Sequence, residues 1–250
     1  MKKIILVLIA CISFTSCAEL LQIASQTQKT LPVTNEENVS GLKSSLDVGI
    51  EKAVGLLGIE NGFYNDAVLK LLLPVEAQPI IDNIKLIPGG QKLVDKAVLM
   101  LNRSAEDAVK EATPIFKTAI KNMSFSDVMG VLFGGENAAT QYLRANTYNE
   151  LKVAFAPKIN ESLAKPLLAN VSTNESWNLL TNGYNSVASS PIGSIAGLKR
   201  VDVNLVDYVT GKALDALFIK IAMEEKAIRT DPVARVSTLL KRVFSQLDKK

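Results

Sequence analysis

The chain has 250 residues, 48% of them hydrophobic, with 28 Lys and Arg against 25 Asp and Glu, no histidine, and cysteine only at Cys11 and Cys17. Everything after Cys17 therefore lacks both imidazole and thiol, which excludes Ser-His-Asp and Cys-His catalysis, zinc sites built on those ligands, and a disulfide framework. A body this long must be held by its own hydrophobic core, and it is long enough to build one.

At the N-terminus, Lys2 and Lys3 precede an apolar run from Ile4 to Ile12, too short to span a bilayer and typical of a secretory leader. Phe14-Thr15-Ser16-Cys17 closes it and resembles the lipobox at which bacteria acylate the cysteine and cleave before it. The resemblance implies a signal peptide over residues 1–16, acyl chains on Cys17, and anchoring to a membrane of the cell envelope. Ala18, where some bacteria place a retention aspartate, implies the periplasm-facing side of the outer membrane. Phe14 stands where leucine is commoner, so ordinary secretory cleavage with Cys17 as a free thiol is the alternative. Loss of Lys2 and Lys3 lowers the net charge from +3 to about +1, which leaves no basic excess for a nucleic-acid partner.

Residues 17–38 are polar and mixed and read as a lipidated N-terminus with a flexible tether, or as a short amphipathic helix from Glu19 to Thr27 followed by coil. The folded domain is expected over residues 39–250. Ser40 caps a helix with the stripe Leu42, Leu46, Ile50, Ala53, Val54 and Leu57, ending at Gly58. Asn61-Gly62, Pro74, Pro79 and Pro88-Gly89-Gly90 punctuate the next stretch, in which Val68 to Leu73 reads equally as helix or strand. A helix follows from Gln91 to about Ala112, and Thr113-Pro114 opens another that reaches Met123.

Ser124 and Asp127 suggest a cap for a short helix to Phe133. After Gly134-Gly135 comes a helix from Ala138 to Phe155, with Pro157 marking a new start. A weaker helix covers Glu175 to Val187, and Ser189 to Val203 reads as a loop. From Leu205 to Arg229 only Asp215 and Lys220 interrupt the apolar stretch Ala213–Met223, so this helix is placed at the centre. Asp231-Pro232 then opens a final helix with Val233, Val236, Leu240, Val243 and Leu247 on one face. No segment alternates with period two. The expected fold class is all-α: a single multi-helix bundle of about eight to ten helices around a buried helix in the C-terminal third.

Asn102-Arg103-Ser104-Ala105-Glu106, Ala138 to Arg144, and Met223 to Arg229 with Asp231 to Arg235 look like the recurring segments of a bacterial family catalogued as domain of unknown function four-one-nine-seven. The resemblance covers most of the chain after the tether and implies no established activity or catalytic residue.

Those segments supply the candidate polar cluster Asn102, Arg103, Glu106, Tyr142, Arg144, Glu224, Glu225, Arg229, Asp231 and Arg235. Glu225 and Arg229 are i,i+4 neighbours, and two carboxylates near a helix C-terminus oppose the macrodipole unless a cation such as Arg229 or Arg235 compensates them. One reading makes Glu224, Glu225 and Asp231 the acid and base of a hydrolase; the other makes them a salt-bridge network tying the central helix to the last one. Asn102, Arg103, Glu106, Tyr142 and Arg144 read as a polar groove in which two arginines grip an anion, or as caps and surface pairs. Gly134-Gly135 precedes a helix N-terminus, but Glu136 stands there and no nucleotide fingerprint accompanies it, so neither cofactor nor metal is expected. Lys241, Arg242, Lys249 and Lys250 form a basic end suited to anionic lipid or to plain solvation.

Three functions follow from these readings: a lipid-anchored, non-enzymatic envelope module binding a partner protein or small ligand, a carboxylate-dependent hydrolase, and a carrier of an apolar molecule between helices.

Overall fold

The computed structural model describes residues 32–248. The leader, the lipobox with Cys17, the tether up to residue 31, Lys249 and Lys250 lie outside the described residues.

The first helix, α1 (Asn35–Leu57), begins before Ser40, because Thr34 and Glu37 form a reciprocal capping box. Glu37 N–H donates to Thr34 Oγ1 at 3.2 Å, and Thr34 N–H donates to Glu37 Oε2 at 2.9 Å. Residues 35–38, assigned to the tether from sequence, are thus the first turn of the domain. Leu42, Leu46, Ile50, Ala53 and Leu57 are fully buried, so the stripe read from sequence is the core face. The same helix carries Gly41, where a Cβ would fall 2.7 Å from Val243 Cγ1, so the last helix rests against bare backbone there.

The stretch after Gly58 is irregular. Asn61 adopts φ 67°, Val68 to Leu73 forms neither helix nor strand, and α2 (Gln78–Asp82) is one short helix between 3-10 turns. Then come α3 (Gly90–Ala108) and α4 (Ala112–Asn122), joined by a 3-10 turn over Val109–Glu111 instead of a cap at Thr113. The short helix α5 (Val128–Leu132) takes Asp127 as its N-cap, with Gly130 N–H donating to Asp127 Oδ1 at 2.8 Å. Ser124, expected as the cap, instead accepts a hydrogen bond from Tyr142 at its carbonyl.

The longest helix, α6 (Ala138–Ala164), runs straight past Pro157, which was expected to start a new helix. Pro157 and Val153 are both exposed, so the Val153 carbonyl that loses its helical donor faces water and can be hydrated there. Sequence periodicity also missed a two-stranded antiparallel hairpin, β1 (Pro166–Leu168) and β2 (Val171–Ser172), turned by Ala169 and Asn170 at positive φ. It is too short to show alternation, and it feeds directly into the Ser172–Glu175 capping box of α7 (Thr173–Ala188).

Within the expected 189–203 loop lies a short helix, α8 (Pro191–Ile195). The central helix, α9 (Leu205–Thr230), packs along α1 and α6. Its Val209, Leu214, Leu217, Phe218, Ile221 and Ile228 are buried, each contributing roughly 1.5–3 kcal/mol of apolar burial. It is not apolar-enclosed all round: Ile219 and Met223 face solvent. Asp231 does cap, but only a 3-10 turn over Pro232–Ala234; Val233 and Val236 are exposed, and the final helix α10 (Thr238–Phe244) starts at its own cap, Ser237. The bundle is thus all-α apart from the hairpin, with α1, α4, α6 and α9 around a shared core that includes the Phe116–Phe218 ring contact at 5.4 Å. Among the described residues no helix is long and apolar enough to cross a membrane.

Candidate functional site

The polar residues singled out from sequence separate into distinct places. Glu225, fully buried on α9, meets the first turn of α6. Its Oε1 accepts from Ala139 N–H at 2.9 Å, while Oε2 accepts from Thr140 N–H at 2.7 Å and from the Thr140 hydroxyl at 2.6 Å. Arg229 completes the set, its Nη2 standing 2.7 Å from Glu225 Oε1 while its guanidinium also donates to the carbonyls of Leu132 and Val131. The helix N-terminus that follows Gly134-Gly135 is therefore already occupied by an anion, and that anion is this chain's own carboxylate. Free N–H groups at the start of α6, orphan carbonyls at the end of α5 and a buried ion pair satisfy one another. Glu136, which seemed to spoil the site, turns outward to pair with Lys226 at 2.6 Å.

Glu224 and Asp231 do not join Glu225. Glu224 pairs with Lys52 of α1, and Asp231 accepts from Val233 N–H at 2.8 Å. The three carboxylates share no open space, as two acid/base groups on one substrate bond would require. Arg235, only 2% exposed, donates to the carbonyls of Ile228 and Arg229 and grips Asp248 with two hydrogen bonds of 2.6 and 2.7 Å. That contact lowers the Asp248 carboxyl from its ordinary value. Arg235 thus ties the end of α9 to the C-terminal turn, whereas Glu225 and Arg229 tie α9 to the α5–α6 junction.

Asn102, Arg103 and Glu106 come together on α3, but as clamps on the irregular stretch after α1. The Asn102 side chain accepts from Leu71 N–H at 2.9 Å and donates to Leu71 O at 2.8 Å, replacing the sheet partner that an extended residue would otherwise need. Buried Glu106 accepts from the N–H groups of Phe63 and Tyr64, and Arg103 donates to Glu106, Asn61 and Glu60. Arg144 lies elsewhere, half-exposed on Asp215 at 2.5 Å and beside the rings of Tyr148 and Phe218. The two arginines do not share a groove. Burial, then the Asp215 carboxylate, pushes the Tyr148 hydroxyl up. Among the described residues no group of His, Cys, Asp and Glu is arranged to hold a metal.

Arg103 and Glu106 line a small open recess of about 260 Å³ beside Lys110 and Leu168, and a roomier concavity lies elsewhere. Between α4 and α6 runs a solvent-facing groove of about 700 Å³, floored by Ile115, Ala119, Met123, Leu151 and Ala154. Its rim carries Asn122, Asn146 and Glu150, and Tyr142 closes one end. That ring lies tilted against Phe125 with centroids 5.1 Å apart, and its hydroxyl donates to Ser124 O at 2.9 Å. Of the sequence candidates only Tyr142 lines this groove. The others were invisible because Ile115, Ala119 and Asn122 form an ordinary amphipathic spacing on a helix, which does not say whether the apolar side meets a neighbour or water.

A family model matches residues 32–245, a span that includes every helix from α1 to α10. The chain belongs to that family, described as protein of unknown function (DUF4197). No curated protein and no solved structure matches it. The match takes in all three family-like segments, and in this DUF4197 member two of them, 138–144 and 223–235, meet around Glu225. The residues of those two segments that meet there maintain a helix junction.

Proposed function

We propose that this DUF4197 protein is a non-enzymatic binding module of the cell envelope, anchored by acyl chains on Cys17, that takes a partner protein or small ligand in the α4–α6 groove. The observation that carries the reading is the groove itself: a concavity of the size of small-ligand sites, apolar at its floor and hydrogen-bonding at its rim. The buried charged residues, by contrast, are spent on holding helices together. A hydrolase finds no converging carboxylates in Glu224, Glu225 and Asp231, and a carrier that encloses an apolar molecule finds an open channel here.

The test has two arms. Mass spectrometry of the mature N-terminus reads the anchor, with acylated Cys17 expected and an unmodified thiol overturning it. A photo-crosslinking side chain at Thr118, inside the groove, is expected to capture a discrete partner or a ligand adduct in intact cells, whereas the same group at Val153, exposed on α6 and absent from the groove lining, captures none. Equal yields from the two positions would remove the groove as the binding face.

A further inference from the structure

A five-residue helix does not hold itself together in water, yet α8 is fixed at every point. The Ser190 hydroxyl caps it by accepting from Gly193 N–H at 3.1 Å. Gly193 presses so closely on the end of α7 that a Cβ there would lie 2.2 Å from Val187 O. At the other end Gly197 takes φ +69°, Gly197 N–H donates to Ser194 O at 3.2 Å, and Leu198 N–H reaches back to Gly193 O at 2.9 Å, a paired closure that needs a residue tolerant of the left-handed region. Asn185 then secures the exit through two hydrogen bonds to the Val201 backbone, of 3.0 and 2.9 Å.

What this scaffold displays is apolar. Ile192 is 78% exposed and Ile195 88%, the most exposed large apolar side chain among the described residues. Directly after them come Lys199 and Arg200, both exposed and, among the described residues, neither paired with a carboxylate; Arg200 donates to the neutral Ser189 hydroxyl at 3.0 Å, and Asp202 forms no ion pair with either. Two largely exposed isoleucines on a five-residue helix make a small apolar tip. A protein partner would bury too little against it for a stable interface, which requires upwards of about 1,000 Å². A bilayer surface has no such requirement: a small apolar tip enters the headgroup–acyl boundary, and anionic headgroups supply the charge that Lys199 and Arg200 lack.

We propose that the 190–200 element is a peripheral membrane contact, in which Ile192 and Ile195 enter the surface of an anionic lipid bilayer and Lys199 and Arg200 pair with its phosphates. This contact does not depend on acylation of Cys17 or on the groove.

The test uses the chain from residue 17 onward with Cys17→Ser, which contains every described element and no other cysteine, so a single introduced thiol can be labelled. An environment-sensitive dye at Ser194→Cys is expected to shift to the blue with phosphatidylglycerol vesicles and to stay unshifted with phosphatidylcholine vesicles, while the same dye at Val153→Cys shifts with neither. Charge reversal by Lys199→Glu with Arg200→Glu is expected to lower binding to the anionic vesicles about tenfold or more at low salt, and added salt erases the difference. Ile192→Ser with Ile195→Ser, at two largely exposed positions, is expected to weaken binding with a nearly unchanged melting temperature. An unshifted dye at residue 194, or equal binding by wild type and both double variants, overturns the proposal. So does retained vesicle binding by the isoleucine variant together with loss of a specific envelope protein from crosslinked extracts, which would assign the tip to a protein.

Discussion

Two stretches of α6 invite comparison. At its first turn, Ala139 and Thr140 are closed from solvent and both their N–H groups are bound by the Glu225 carboxylate. Two to three turns further on, Asn146 and Glu150 stand at the rim of an open groove. The first stretch is where Glu225 and Arg229 of α9, conspicuous in the sequence, dock, and their charges are consumed in joining α5, α6 and α9. The second is built of ordinary helix-surface residues and is the one that can accept something from outside. Charge density in a sequence is therefore a poor guide to binding when the charged groups sit at helix ends, where backbone donors and acceptors compete for them.

The largest effect should separate the two regions outright. Glu225→Ala leaves the N–H groups of Ala139 and Thr140 without their acceptor and the buried Arg229 charge without its carboxylate, and should cost about 3–5 kcal/mol in urea unfolding. Glu150→Ala at the groove rim should stay within about 0.5 kcal/mol of wild type. Similar losses from both would erase the distinction. Next in size, Thr140→Val removes one hydroxyl donor to the buried carboxylate while keeping the volume, with an expected loss of roughly 1.5–3 kcal/mol read in the same assay. A cost near zero would mean that the backbone donors alone hold Glu225.

A smaller effect appears with pH. Lys220 beside Asp66, Arg242 beside Glu37 and Arg235 beside Asp248 hold these carboxyls below their ordinary range. A lowered folded-state value means that the stability each contributes is complete above the unfolded-state value, ~4, and is lost as pH falls through the folded-state one. Asp66→Asn should therefore lower the melting temperature at neutral pH and converge on wild type in strong acid; a constant gap across that range would show a packing effect instead. The smallest expected change is the opposite in sign. Asp47, on α1 near Lys117 of α4, is raised by burial, so its ionised form carries a penalty at neutral pH that disappears below the unfolded-state value. Asp47→Asn should raise the melting temperature slightly at neutral pH and leave it unchanged in strong acid, as differential scanning calorimetry would show.

The helical stripes of α1, α3 and α9 were readable because a helix that buries one side must repeat its apolar residues every three to four positions. Boundaries were less so. Thr34 outcompeted Ser40 as a cap because Glu37 closes the reciprocal bond, and Pro157 stayed inside α6 because the carbonyl it orphans faces solvent. The hairpin at 166–172 was too short to carry a period. In the candidate site, the i,i+4 pairing of Glu225 with Arg229 followed from spacing alone, whereas the partners of Glu225 on α6, more than eighty residues earlier, did not.

By itself the sequence determined the all-α class, the buried position of the 205–230 helix and the absence of imidazole and thiol from the folded body, since composition and periodicity are properties of the chain alone. Only the tertiary structure decided that the conspicuous charges close a helix junction, that α4 and α6 leave a groove between them, and that two isoleucines are held out into solvent beside two cations with no carboxylate partner among the described residues. These are long-range outcomes: whether an apolar or charged side chain meets a partner depends on which distant backbone packing brings beside it, and no local pattern records that.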